Sequence, residues 1–210
     1  MERNKSFELA DCAAPQHVQI LNQEIKYRGG IFDIRDDRIE FKSGDVVQRQ
    51  YMKHDDAVAI VPLRHNGTNW EILLIRQYRH APRRIFWEIP AGLRDIAGEE
   101  SLLCAKRELE EETGLAAQDW RKLVSFYTSP GCSDENLEIY VAIDPVPSEN
   151  KSGFTAEAEE REIVSQWFEI GDIRDAILTS RLQSPTLVLG VLAVDSLLSR
   201  GIDTLEKVTQ

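Results

Sequence analysis

Apolar positions recur along this chain with two periods. From Val18 to Tyr51 short alternating stretches are broken by turn residues: Val18–Ile25, Gly29-Gly30, Ile31–Arg35, Asp36-Asp37 read as a turn, Ile39–Lys42, Ser43-Gly44-Asp45 and Val46–Tyr51. Alternation with such breaks predicts a small antiparallel sheet, preceded by a loose arm over residues 1–17. Ala57–Leu63 is a continuous apolar run of strand length, and Glu71–Gln77 follows after the His65-Asn66-Gly67 turn, which predicts a buried hairpin. Further strands are expected over Ile85–Pro90, Lys122–Thr128, Leu137–Asp144 and Val164–Glu169, with Ser129–Asp134 as a turn-rich connection.

Between Ser101 and Thr113 the period lengthens. Leu102, Ala105 and Leu109 fall at i, i+3 and i+7, Ser101 stands at the N-cap position, and Gly114 sits where a left-handed C-terminal residue is wanted. A helix over 101–113 follows. Two more helices are expected over Asp172–Thr179 and Ser184–Ser199, the second with Ser184 as cap and Pro185 in its first turn.

A chain of 210 residues can form one large domain or two small ones with a sizeable core. With 42% hydrophobic and 29% charged residues, wholesale disorder and low-complexity architectures are excluded. The net charge of −11 argues against nucleic acid and anionic membranes as partners. No apolar run approaches the roughly 20 residues that span a bilayer, and Met-Glu-Arg-Asn-Lys lacks a signal-peptide apolar stretch, so a cytoplasmic location is expected. Cys12, Cys104 and Cys132 are odd in number and widely spaced, which predicts buried or half-buried reduced thiols rather than disulfides or a zinc knuckle.

The charge is unevenly distributed. Residues 88–112 hold eight acids against three bases, and residues 149–172 hold seven against two, so ten of the eleven excess negatives fall in 49 residues. On the predicted helix Glu108, Glu111 and Glu112 stand at i, i+3 and i+4 and share one face. Like charges so placed either form a solvated acidic face or collect around a divalent cation, which would remove their repulsion.

The wider segment runs from Gly92 through six residues to Glu99, then seven residues to Arg107-Glu108-Leu109-Glu110-Glu111-Glu112-Thr113-Gly114-Leu115. It resembles the Nudix box, with one extra residue between the first glycine and first glutamate. Leu74–Arg79, Trp87–Gly92, Pro130 at 15 positions beyond Leu115, and Gly131–Glu135 are similar to the ADP-ribose pyrophosphatase branch of that family.

The resemblance implies an α+β fold, the Nudix α/β/α sandwich with a mixed sheet, over 55–210, and an N-terminal antiparallel β arm over 1–54 that serves a homodimer. It implies Mg²⁺- or Mn²⁺-dependent hydrolysis of the diphosphate of ADP-ribose to AMP and ribose 5-phosphate. The alternatives are another nucleoside diphosphate sugar, such as a UDP- or GDP-hexose, or a non-catalytic nucleotide-sugar sensor. By the same resemblance Glu108, Glu112 and the carbonyl of Ala91 ligate metal, with Glu99 and Glu111 beside them and Glu162 as a further ligand. Glu160 is the expected general base, chosen among Glu157, Glu159, Glu160 and Glu162; Glu111 is grouped with it. Arg107 is expected to tie the glutamates together. Arg79 and Glu88, with Gln77 and Glu135, are expected at the substrate, and Tyr27, Phe32 or Trp87 could stack on the base.

Overall fold

The computed structural model describes residues 9–149, 162–201, 205, 207 and 208. Contacts divide the chain into two compact units with the boundary between Lys53 and His54.

The first unit is a three-stranded sheet in the order β1 (Val18–Arg28), β2 (Phe32–Phe41), β3 (Val46–His54). β1 and β2 are antiparallel, with irregularities between Ile20 and Asn22 and between Ile25 and Tyr27. Asp36 and Asp37 do not turn the chain; they lie inside β2 and are buried. Cross-strand amides explain this: Gln50 donates to Asp36 at 3.1 Å and Gln23 to Asp37 at 3.0 Å. Donors from neighbouring strands thus override the turn preference of aspartate.

The second unit is built on β4 (Ala57–His65), β5 (Trp70–Arg79), β6 (Arg84–Glu88), β7 (Ala91–Leu93), β8 (Leu115–Ala116), β9 (Asp119–Tyr127), β10 (Asn136–Ile143), β11 (Val146–Pro147) and β12 (Val164–Glu169). Its helices are α1 (Ser101–Thr113), α2 (Ile170–Leu178) and α3 (Pro185–Leu198). The main sheet has the order β12-β5-β4-β10-β9, with β6 on β5 and β7 on β4. β4 and β10 run parallel and the other pairs antiparallel, so the sheet is mixed.

The unbroken apolar run of β4 is explained by burial on both faces. Ala57, Ala59, Val61 and Leu63 pack with residues of α2 and α3, while Val58 and Ile60 pack with Leu102, Cys104, Ala105 and Leu109 of α1. α3 comes close at Gly190, where a Cβ would stand 3.1 Å from both Val61 and Ile89. Helices therefore cover both faces, as expected of the α/β/α sandwich.

β4 and β5 pair only over Leu63–His65 and Trp70–Ile72. Beyond that point they part: β5 continues with β6 and β4 with β7. Ile89 and Pro90 span the fork, and Ile60 N–H donates to the Pro90 carbonyl at 2.8 Å. This fork lies over the acid-bearing helix.

Other differences from the sequence reading are local. α1 has the predicted bounds, and Gly114 takes the left-handed conformation at φ 67° with its N–H on the Glu110 carbonyl. Its N-cap is Glu100, not Ser101. Ser184 does occupy the N-cap of α3, but its hydroxyl makes no cap bond. Cys104 is buried, whereas Cys12 and Cys132 are exposed, contrary to expectation. Among the described residues no helix is long and apolar enough to cross a membrane.

Candidate active site

The face of the sheet toward α1 collects the chemistry. Gly92 pairs with Val58, whose side chain points to α1, so Gly92 also faces that helix. There it meets Glu108: a Cβ on Gly92 would overlap the Glu108 carboxyl group. The absent side chain is the space that carboxyl group occupies. One residue earlier, Ala91 N–H donates to Glu112 Oε2 at 3.0 Å. The β7 backbone thus lies against Glu108 and bonds Glu112.

Arg107 holds the remaining members. Its Nε and Nη2 donate to the two oxygens of Glu99 at 3.2 and 3.1 Å, and its Nη1 donates to Glu108 at 2.6 Å and Glu111 at 3.0 Å. Charge-assisted bonds in this forked geometry suit arginine and not lysine. Arg107 thus ties the glutamates together, as expected. Two partners had no role in the sequence reading: Asp95, 3.8 Å from Nη2, and the Cys104 sulfur, 3.4 Å from it. Cys104 stands three residues before Arg107 on the same helix, a spacing that could have revealed it. The extra residue before Glu99 is taken up in a turn closed by Glu99 N–H on the Ile96 carbonyl, with Gly98 at φ 83°.

Proton affinities follow from these surroundings. Burial pushes the Glu108 carboxyl up to about 6 against the opposing pull of Arg107. Burial pushes Glu112 further, to about 8, with the Ala91 amide opposing and Glu108 adding repulsion. Hydrogen bonds from Arg107 hold Glu99 below the usual carboxylate range. Burial raises the Cys104 thiol to about 12, so it is inert at neutral pH.

The donor set fits a hard divalent cation. Glu99, Glu108 and Glu111 surround one guanidinium, Glu112 is held by the Ala91 amide, and Oε2 of Glu108 and Oε1 of Glu112 have no hydrogen-bond partner among the described residues. No three acidic, histidine or cysteine side chains among the described residues form a complete ligand set as they stand.

Across the fork, the β5–β6 hairpin brings Gln77, Arg79 and Glu88 together. Arg79 reaches Glu88 through Nη2 at 2.6 Å and Nε at 3.1 Å, and Gln77 Nε2 donates to Glu88 at 3.0 Å. The charges of Arg79 and Glu88 are both felt by Glu112, which places this trio beside the cluster. Trp87, one residue from Glu88, points to the other face, onto Phe168. It lines a cavity of about 510 Å³ with Leu74, Asp172 and Arg181, to which none of the expected metal ligands, general base or Arg79 contributes.

The other candidates lie apart or outside. Glu135, in the β9–β10 loop, accepts from Thr128 at 2.6 Å and stands 3.7 Å from His54, with no bond to the helix glutamates. Glu162 is exposed just before β12, toward the end of β5 that carries Gln77 and Arg79. Glu157, Glu159 and Glu160 lie outside the described residues.

Replacing Arg107 by alanine would leave three adjoining carboxylates without their cation. The guanidinium is only 25% exposed, so we expect a loss of about 2–3 kcal/mol, or roughly 5–10 °C in unfolding midpoint, in metal-free buffer. Thermal melts should show Mg²⁺ recovering part of it.

Comparison with known proteins agrees with this geometry. A family model described as the NUDIX domain matches residues 53–186. The ADP-ribose pyrophosphatase of Mycobacterium tuberculosis (strain ATCC 25618 / H37Rv) is 36% identical over 181 residues, covering 86% of this chain and 84% of that protein. The ADP-ribose pyrophosphatase of Bacillus subtilis (strain 168) is 37% identical over 116 residues, covering 55% and 60%. A solved structure described as an ADP compounds hydrolase superposes with a TM-score of 0.72 at 22% identity, covering 90% of this chain and 99% of that one, and so shares the fold. The glutamate helix under the forked sheet and these matches lead to one conclusion: the chain belongs to the NUDIX domain family.

Proposed function

We propose that this protein hydrolyses the diphosphate of ADP-ribose to AMP and ribose 5-phosphate with the help of Mg²⁺ or Mn²⁺. The observation that carries the reading is the 36% identity to an ADP-ribose pyrophosphatase over most of both chains. The oxygen-rich cluster and the neighbouring Arg79 are what such a reaction needs.

In this reading Glu108, Glu112, the carbonyl of Ala91, Glu99 and Glu162 hold the cation. The cation, when bound, screens the diphosphate charge and makes an attacking water more acidic. Arg79 grips the diphosphate, since a guanidinium matches phosphate oxygens in a bidentate manner. Glu88 and Gln77 stand around Arg79, and Glu135 contacts substrate from the β9–β10 loop. Glu160 takes the proton of the water as its oxygen bonds to phosphorus and the bridging oxygen leaves; Glu111 supports it from the helix. Turnover of Glu→Gln variants at 157, 159, 160 and 162 tests the base: near wild-type rates for Glu160→Gln would remove that assignment.

The first unit serves dimerisation in this reading. Ile20, Leu21, Ile25, Tyr27, Ile31, Phe32 and Val46 are exposed there, and β1 is an edge strand. The net charge of −11 disfavours nucleic-acid partners in this reading.

Chromatography of products decides the substrate. We expect AMP release from ADP-ribose with Mg²⁺ and none without it, and much slower cleavage of UDP- and GDP-hexoses. Failure to release AMP from ADP-ribose overturns the reading.

A further inference from the structure

The β5–β6 hairpin holds a buried carboxylate that accepts from Arg79 and Gln77. Glu88 is 9% exposed and Gln77 is 8% exposed. Glu88 Oε2 receives Arg79 Nη2 at 2.6 Å, Arg79 Nε at 3.1 Å and Gln77 Nε2 at 3.0 Å, while Oε1 receives Arg79 Nε at 3.3 Å. The Arg79 side chain, by contrast, is 47% exposed. One edge of its guanidinium is thus fixed by the hairpin.

From this arrangement we infer that Gln77 is a positioning residue: with Glu88 it fixes the guanidinium of Arg79 for the substrate diphosphate, and neither Gln77 nor Glu88 touches the substrate. The inference rests on the reading of Arg79 as a diphosphate contact. A buried anion that already accepts from a guanidinium and an amide repels another anion. Its effect is on Arg79. Two parallel bonds to a carboxylate fix the plane of a guanidinium, and the Gln77 amide keeps that carboxylate from rotating by engaging the oxygen that Nη2 also uses. The strand register places them so: Gln77 and Arg79 are two apart on β5 and share a face with Glu88, which is opposite Ile75.

The test compares Gln77→Met, which keeps bulk without the amide, with Gln77→Asn, which keeps the amide one methylene short of Glu88. Both should raise KM for ADP-ribose about tenfold with kcat within about threefold, the pattern of a lost binding contact. In a double-mutant cycle Gln77→Met should add less than about twofold to Arg79→Lys, because the two act through one contact. Multiplicative effects would overturn the proposal, since Gln77 would then act on its own. A readout without substrate separates this from the proposed function. In ¹H–¹⁵N NMR spectra the Arg79 Nε–H resonance should shift in Gln77→Met and Gln77→Asn while backbone amides of β4 and α1 keep their positions. An unmoved Nε–H resonance sinks the inference even if ADP-ribose is cleaved. A moved one sustains the positioning role even if the substrate proves to be another nucleoside diphosphate sugar.

Discussion

Glu112→Gln should cost turnover of ADP-ribose on the order of a hundredfold or more, since residues that merely support metal ligands are already worth about 10–100-fold. The same substitution should leave the metal-free protein as stable as the wild type or more so. Glu112 is half-buried and, among the described residues, accepts only from the Ala91 amide, and burial pushes its carboxyl up to about 8, far above a glutamate's usual 4.5. Between these values the folded state binds the proton more tightly than the unfolded one. Its contribution to stability is therefore fully present below pH 4.5 and is lost as pH rises through 8. Glutamine mimics the protonated form and can still accept from Ala91. Thermal melts in chelator across pH 5–9 should fall with pH for the wild type and be flatter for Glu112→Gln. Parallel slopes would show that Glu112 is not the strained group. A cation competes with that proton, so Mg²⁺ affinity should rise with pH through the same window, with proton release seen by calorimetry in buffers of different ionisation enthalpy.

Gly92→Ala should give the second large effect, by a different route. The new methyl group would occupy the space of the Glu108 carboxyl, so the carboxyl must move. The backbone at Gly92 has no positive φ, and the obstructing atoms are the end of a flexible side chain, so β7 can accept alanine. The fold should survive with its midpoint within a few degrees while Mg²⁺ affinity and turnover drop about 10–100-fold. Gly131→Ala, where nothing lies within 4 Å of the new Cβ, serves as a silent control. Isothermal titration with Mg²⁺ and a melt of each variant separate the outcomes. Unchanged metal affinity in Gly92→Ala would mean that Glu108 is not a ligand in the position it takes here.

Elements with one dominant local signal were legible in the sequence. α1 declares itself by its apolar period and by Gly114, and β4 by seven apolar residues in a row, because both signals reflect direct burial. Elements defined by distant partners were not. β7 is three residues, Ala91-Gly92-Leu93, with no alternation to read, and it exists because β4 offers it an edge at the fork. Asp36 and Asp37 look like a turn until Gln50 and Gln23 from neighbouring strands are present. The same contrast holds at the site. The tie of Arg107 to the glutamates was expected from the forked chemistry of a guanidinium among carboxylates, whereas the close approach of Gly92 to Glu108 depends on how β7 is laid over α1.

The alternation of Trp87 and Glu88 along β6 has a bearing on folding fidelity. Adjacent strand residues face opposite sides, so slipping β6 by one position against β5 would exchange the two. The carboxylate would enter the apolar layer beside Phe168, and the indole would be driven out over the glutamates. Such a mispaired hairpin loses the bonds from Arg79 and Gln77 and moves the charge into a layer built of apolar side chains. The wrong register is therefore rejected by the same carboxylate that organises the right one, and this short strand is proofread by its own side-chain order.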